Sequence, residues 1–210
     1  MNRLRNWIGR HGQTLINWFL FATLGYGACY RAWHAWTAES LDFVEIAFFT
    51  HNVILVLVIL VRQKHRAING NFFQQAVALI AFFSGIAFDE HRTSSVVMVD
   101  LARGITLMVM LLGTICMFNL GRSFGILIAA RTIKTRGLYA IVRHPMYAID
   151  ISWRVAFILQ NPSAYNIALA VASTAAYVCR AILEERFLAQ FPEYREYMQR
   201  VRYRFIPNVF

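Results

Sequence analysis

The segment FVEIAFFTHNVILVLVILV, residues 43–61, is apolar along almost its whole length and contains no lysine or arginine. A helix that crosses the hydrocarbon core of a bilayer needs roughly 20 predominantly apolar residues. Only 15% of all residues in the chain are charged, whereas a soluble domain carries about a quarter. The segment therefore predicts a membrane-spanning helix. Five further apolar runs occur: Thr14–Trp36, Phe72–Phe88, Val96–Leu120, Met146–Gln160 and Ala164–Leu183.

These runs predict an all-α integral membrane protein with about six transmembrane helices, ending in a helical hairpin and a cytoplasmic amphipathic tail. Lysine and arginine gather in every second loop: the N-terminal tail, the loop after the second run, the polar stretch 121–143 and the C-terminal tail. Because cytoplasmic loops carry such an excess, we expect a multi-pass protein with both termini in the cytoplasm. The fifth run is short, and a re-entrant segment is the alternative there; it leaves the position of the C-terminus unchanged.

The composition also excludes several classes of function. A net charge of +10 would indicate nucleic-acid binding in a soluble protein, but here the basic residues flank apolar runs, so we expect no nucleic-acid partner. The three cysteines lie in apolar runs, and their odd number indicates neither a disulfide framework nor a metal cluster. We expect no metal, and no feature of the sequence indicates an obligate protein partner.

The segment GLYAIVRHPMY, residues 137–147, leads into the fifth run. Pro145 is favourable in the first turn of a helix, and the residue before it, His144, is pushed out of helical geometry. We expect the imidazole of His144 to face the cleft below the helix start, where free N–H groups suit a carboxylate or a phosphate. The alternative is a basic anchor at the membrane edge, with Arg143 and Tyr147 flanking the helix.

Two adjacent carboxylates, Glu184 and Glu185, follow the sixth run. Acidic residues near a helix C-terminus oppose the helix macrodipole, and this cost suggests a role. One of them could bind a cationic group such as the ammonium of an amino acid. The alternative is that both form salt bridges with the surrounding arginines.

Asp150 and Arg154 lie four residues apart within the fifth run. Ionisable residues at membrane depth indicate a functional site by default. The alternative is an ion pair along one helix face, although such a pair gains little over apolar packing once it is desolvated.

The C-terminal tail predicts a short amphipathic helix that starts at Pro192, where proline is tolerated. Tyr194, Tyr197, Met198 and Val201 fall on one face of this helix. A helix of this kind lies on the membrane or closes over a site.

Taken together, GLYAIVRHPMY, an apolar hairpin, the Glu-Glu pair and the tail EYREYMQRVRYRFIP (residues 193–207) resemble the isoprenylcysteine carboxyl methyltransferase family, with its bacterial and archaeal relatives, which is akin to the phospholipid N-methyltransferases. The resemblance covers about residues 120–207. It implies an integral membrane enzyme that binds S-adenosylmethionine at the cytoplasmic face. We expect one integrated domain, with a four-helix N-terminal membrane region in residues 1–120 from the first four apolar runs and the cofactor-binding methyltransferase region in residues 121–210.

Carried over to this chain, the family pattern places a set of residues around the cofactor. Glu184 or Glu185 would hold its ammonium group. Ile149 stands where family members often carry a glycine, and the chain departs there from the family pattern of helix packing and cofactor fit. The residues expected to line the cofactor pocket are Tyr139, His144, Pro145 and Tyr147.

Methyl transfer from a sulfonium mainly requires alignment of the nucleophile, the methyl group and the leaving sulfur. A carboxylate acceptor would need a cation, for which Arg154 is the candidate, and an amine acceptor would need a base, for which Asp150 is the candidate. We expect a lipidic acceptor in the bilayer, with carboxyl methylation of a prenylcysteine-like substrate favoured over methylation of a phospholipid amine.

Two classes of protein are the alternatives to a methyltransferase. The first is the NADPH-dependent sterol reductases, which share a tail like YRFIP but typically carry Asn where this chain has Met146. The second is a non-catalytic membrane protein.

Overall fold

The computed structural model describes residues 2–37, 42–90 and 94–209, and within the first range it describes the side chains of residue 14 and of residues 17–37. The described residues form an all-helical bundle, which confirms the predicted fold class. The α-helices are α1 Asn2–Thr37, α2 Phe43–Val61, α3 Phe72–Phe83, α4 Val96–Leu120, α5 Pro145–Gln160, α6 Ala164–Leu188 and α7 Pro192–Arg200. Short 3₁₀ turns occupy Ser84–Ala87, Gly121–Ser123 and Gly137–Ala140.

Among the described residues, three helices are long and apolar enough to cross a membrane: Phe43–Val61, Val96–Ser123 (α4 with its following turn) and Ala164–Leu188. The apolar segment Phe72–Ala87 is shorter. The chain is therefore a membrane protein, and the count of six crossings stays a prediction.

Local sequence fixes where the helices begin. The carboxylate of Asp42 accepts hydrogen bonds from the backbone N–H groups of Val44 and Glu45 at the start of α2, and the hydroxyl of Ser163 caps α6. Such side chains satisfy N–H groups that have no partner within the helix. Pro145 starts α5, as predicted, because its ring is compatible with a first helical turn.

Two helices extend beyond the apolar runs that predicted them. α1 starts at Asn2, well before the apolar run begins. α6 continues to Leu188, so that Glu184 and Glu185 lie within the helix rather than after it. Residues this close along a helix point in different directions, since each step turns the chain by about a hundred degrees. The two carboxylates therefore face different neighbours.

The helices pack around α4, which contacts both α2 and α5, while α1 packs on α2 and α3 on α6. A buried apolar cluster joins α1, α2 and α4 to the segment that follows α4. Its members are Leu20, Val58, Ile59, Met117, Phe124 and Ile126.

One end of the bundle carries the loops that are rich in arginine. There the two-residue strands β1 Ala67–Ile68 and β2 Ala129–Ala130 pair antiparallel. The tail returns to the start of α5 at the same end, where the N–H of Arg143 donates to the carbonyl of Tyr203 at 2.9 Å. The loops that the charge pattern assigns to one side of the membrane thus lie together in the structure.

A glycine permits the approach of the chain to α5. Gly137 has φ +62°, in the left-handed region that favours glycine. A Cβ at this position would also overlap the side-chain amide of Asn119. The turn that carries Tyr139 toward α4 therefore requires glycine at its first residue.

Candidate functional site

A cavity opens at the arginine-rich end of the bundle, between the ends of α2, α4 and α6 and the start of α5. Helix α7 covers one side of it. Five of the eight residues selected from the sequence line this cavity: Tyr139, His144, Tyr147, Asp150 and Glu184. Pro145, Arg154 and Glu185 are not among the lining residues.

The buried carboxylate of Glu185 organises the wall of the cavity. Its Oε1 accepts a hydrogen bond from Nε of Arg143 at 2.7 Å and lies 3.1 Å from Nε2 of His144. Its Oε2 accepts from Nε of Arg204 at 2.9 Å. The Glu185 side chain is only 4% exposed, so these contacts are shielded from water. Glu185 thus forms the salt bridges with surrounding arginines that were the alternative interpretation of the Glu-Glu pair.

Glu184 has a different environment and faces the cavity. The hydroxyl of Tyr147 donates to its Oε2, and among the described residues no donor contacts its other oxygen. The ring of His144 stacks on the ring of Tyr147, with centroids 5.1 Å apart and an interplanar angle of 10°. The side chains of His144, Tyr147 and Glu184 therefore present two stacked rings and a carboxylate oxygen at one place in the cavity.

Asp150 faces the same cavity from one turn further along α5. Its Oδ2 accepts a hydrogen bond from the hydroxyl of Tyr177 on α6 at 2.9 Å. No described residue donates to Oδ1. A carboxylate held by one neutral donor keeps its negative charge uncompensated by direct contact, which suits it to a cation or to a proton.

Arg154 lies on the same helix but is directed away from the cavity. Its guanidinium donates to the hydroxyls of Ser173 at 2.8 Å and Ser84 at 2.7 Å. It also donates to the backbone carbonyl of Asp150 at 2.7 Å and lies over the ring of Tyr177. The i,i+4 contact therefore reaches the main chain of Asp150 rather than its carboxylate, and Arg154 links α5 to α6 and α3.

Helix α7 closes the cavity with the apolar face that its sequence predicts. Tyr194, Tyr197 and Val201 form a buried cluster with Met198 packed against it, and the hydroxyl of Tyr197 donates to the carbonyl of Tyr139 at 2.7 Å. Burial raises the pKa of Tyr194 and Tyr197 above the ordinary value for tyrosine. Both phenols therefore remain protonated near neutral pH, and that of Tyr197 acts as a hydrogen-bond donor.

Several polar residues that line the cavity were not selected from the sequence, among them His51, Arg131 and Arg180. Arg180 lies in the C-terminal half of α6, where it is 3% exposed, and it donates to the carbonyl of Ile126 at 2.6 Å. The signal that selects Asp150, an ionisable side chain inside an apolar run, applies equally to His51 and Arg180. Arg131 gives no such signal because it lies in a polar stretch.

The chain matches the sequence model of the family described as phospholipid methyltransferase over residues 91–194. This range contains α4, the polar stretch, α5, α6 and the first residues of α7, and therefore most of the cavity. The family takes in membrane methyltransferases of the isoprenylcysteine type, so the predicted relationship is confirmed. No curated protein matches the chain.

The contacts of Glu185 predict that Glu185→Gln lowers the stability of the folded protein. Removing this charge leaves Arg143 and His144 buried without their acidic partner, a change that costs about 3–5 kcal/mol in the free energy of unfolding. Thermal unfolding in detergent measures the effect. Glu193→Gln is the matched control, because Glu193 pairs with Arg66 at the surface, where both side chains are at least half exposed, and such pairs contribute little. Equal unfolding midpoints for the two variants would contradict the structural role of Glu185.

Proposed function

Because residues 91–194 place this chain in the phospholipid methyltransferase family and make it a membrane methyltransferase, we propose that it transfers the methyl group of S-adenosylmethionine to an amine on a membrane lipid. The observation that carries the proposal is the pair of carboxylates in one cavity, Glu184 and Asp150. Each has an oxygen to which no described residue donates. Both the methyl donor and an amine acceptor are cationic, and two carboxylates match them.

The residues around Glu184 fit the cofactor. S-adenosylmethionine, when bound, supplies an electrophilic methyl group on a sulfonium. The open oxygen of Glu184 would accept a hydrogen bond from its ammonium group, and such charge-assisted bonds are among the stronger ones in proteins. The stacked rings of His144 and Tyr147 would pack against its apolar parts. Glu185 does not contact the cofactor in this proposal; it holds His144 in position through the hydrogen bond to Nε2.

Asp150 binds and deprotonates the amine of the acceptor in this proposal. A protonated amine cannot attack the methyl group, because its lone pair is occupied by the proton. Asp150 attracts the ammonium form and accepts its proton through the open oxygen, as a general base does. The hydrogen bond from Tyr177 fixes the orientation of the carboxylate, so the amine is held in line with the methyl group. Arg154 keeps α5 in place and takes no part in the reaction.

A second candidate is carboxyl methylation of a prenylcysteine-like acceptor. Arg131 favours it, because this guanidinium lines the cavity and could hold a carboxylate. Asp150 opposes it, since two carboxylates in one cavity repel each other. The amine acceptor is therefore the better match.

The cofactor assignment predicts that Glu184→Gln weakens binding of S-adenosylhomocysteine. The loss of a charged hydrogen bond corresponds to an affinity about ten- to a hundredfold lower, which calorimetry measures. Glu196→Gln, on the exposed face of α7, should bind as the unmodified protein does. An unchanged affinity in Glu184→Gln would refute the role of this residue.

The acceptor assignment predicts opposite effects of Asp150→Asn on the two candidate reactions. The variant should bind S-adenosylhomocysteine normally. Its transfer of labelled methyl groups to phosphatidylethanolamine should fall about a hundredfold or more, the scale of a lost general base. Carboxyl methylation of a prenylcysteine would instead keep its rate or gain, because a repelling charge is removed. Undiminished methylation of the amine lipid by Asp150→Asn would exclude this mechanism.

The charge pattern predicts that the cavity faces the cytoplasm, with both termini on that side. In a variant that lacks the three native cysteines, a cysteine at position 209 should react with an impermeant reagent only after the membrane is opened. A cysteine at position 162, in the α5–α6 turn, should react in intact cells if α5 and α6 both cross. Labelling of position 209 from outside would contradict the topology.

A further inference from the structure

Two arginines at the cavity end of the bundle are buried without a partner. Arg62 is 7% exposed and Arg131 is 8% exposed. The Nε atom of each is fully enclosed and makes no hydrogen bond. Among the described residues, neither guanidinium has an ion pair or a hydrogen bond. By contrast, the buried guanidinium groups of Arg143 and Arg180 donate to carboxylate or carbonyl oxygens.

This arrangement is costly for the protein alone. A buried guanidinium loses its hydration, and no hydrogen bond within the described residues replaces it at either arginine. Burial, together with repulsion from Arg131, lowers the pKa of Arg62 to about 10. Burial also lowers the pKa of Arg131, although Glu184 opposes the shift. Two like charges held close together in this way suit an anion that is not part of the described chain.

The position of Arg62 and Arg131 indicates that the anion belongs to a lipid headgroup. Arg62 directly follows Val61, the last residue of α2, and the end of a membrane-crossing helix lies at the level of the lipid headgroups. An arginine that only anchors a helix there extends its charge into the headgroups and water, whereas Arg62 is enclosed by protein. Arg131 lies close by in the cavity wall, packed against Gly125, where a Cβ would collide with its guanidinium.

We propose that Arg131, with Arg62 as a second cation behind the cavity wall, binds the phosphate of a membrane lipid. The proposal rests on the proposed function, because the lipid is the methyl acceptor. A guanidinium donates two parallel hydrogen bonds to phosphate oxygens. The phosphate would lie on Arg131 and the amine on Asp150, so the cavity would recognise both charges of a zwitterionic headgroup.

The cofactor is a poorer match for these two cations. S-adenosylmethionine carries one carboxylate beside an ammonium and a sulfonium, so its net charge is positive. A ligand with a net positive charge is less favourable beside two cations than a lipid with an anionic phosphate. Arg62 also lies outside the range that matches the family, which makes this contact a feature of the chain's own N-terminal helices.

Lipid binding by the purified protein tests the site. Native mass spectrometry in detergent compares adducts of phosphatidylglycerol with those of diacylglycerol, which has no phosphate. The unmodified protein should retain phosphatidylglycerol in preference to diacylglycerol. Arg131→Met should bind phosphatidylglycerol about ten- to a hundredfold more weakly, as for the loss of hydrogen bonds to a charged group, and Arg62→Met should show a smaller loss in the same direction. Arg122→Met is the control, because Arg122 carries the same charge at an exposed position beside Val61, to whose carbonyl it donates.

Thermal unfolding and cofactor binding of the variants distinguish a lipid site from a structural role and from a cofactor site. Lipid-free Arg62→Met should unfold at a higher temperature than the unmodified protein, since a buried uncompensated charge is removed; a lower midpoint would show that Arg62 serves the fold. Calorimetry with S-adenosylhomocysteine should give undiminished affinity in both variants, since removing a cation that interacts with Glu184 does not weaken the site of the cofactor ammonium. If Arg131→Met loses that affinity and keeps the lipid, Arg131 holds the cofactor carboxylate and the proposal fails while the methyltransferase assignment stands. Equal retention of phosphatidylglycerol and diacylglycerol by the unmodified protein also overturns the proposal, whatever the variants do.

Discussion

The carboxylate of Glu185 is the interaction on which the rest of the cavity depends. It joins three parts of the chain that are distant in sequence: the residues before α5, the C-terminal part of α6 and the tail that follows α7. Arg143, His144 and Arg204 all reach it within 3.1 Å. Because the carboxylate is buried, each of these contacts is stronger than it would be at the surface, and together they fix His144 beside Tyr147.

The adjacent residues Glu184 and Glu185 have different environments. Glu185 is enclosed and satisfied by cations of the chain, whereas Glu184 keeps an oxygen open toward the cavity. The same contrast separates Arg154, each of whose three nitrogens donates a hydrogen bond, from Arg131, whose Nε has no partner. Among the described residues, Glu184 and Arg131 thus keep polar atoms without a hydrogen-bond partner, whereas Glu185 and Arg154 are held by the protein.

Much of the fold follows from local patterns in the sequence, and the site follows only in part. Apolar runs predicted the bounds of α2 and α4, and the spacing of Tyr194 and Tyr197 predicted the buried face of α7. The sequence could not choose between Glu184 and Glu185, because the choice depends on where Arg143 and Arg204 meet α6. It gave no sign of Arg131, since an arginine in a polar loop has the same local pattern whether it is buried or exposed. The boundary at residue 120 between an N-terminal membrane region and a cofactor-binding region stays a prediction. Residues before and after this boundary line the cavity.

The return of the tail to the start of α5 has a consequence for how the protein is made. The N–H groups of Arg143 and His144 donate to the carbonyls of Tyr203 and Arg204, and those two residues are synthesised after helices α1 to α6. The helices can therefore enter the bilayer one after another while the cavity is still incomplete. The wall of the cavity at His144 therefore becomes complete only once residues 203 and 204 have been synthesised, later than the helices that carry His144 and Glu185.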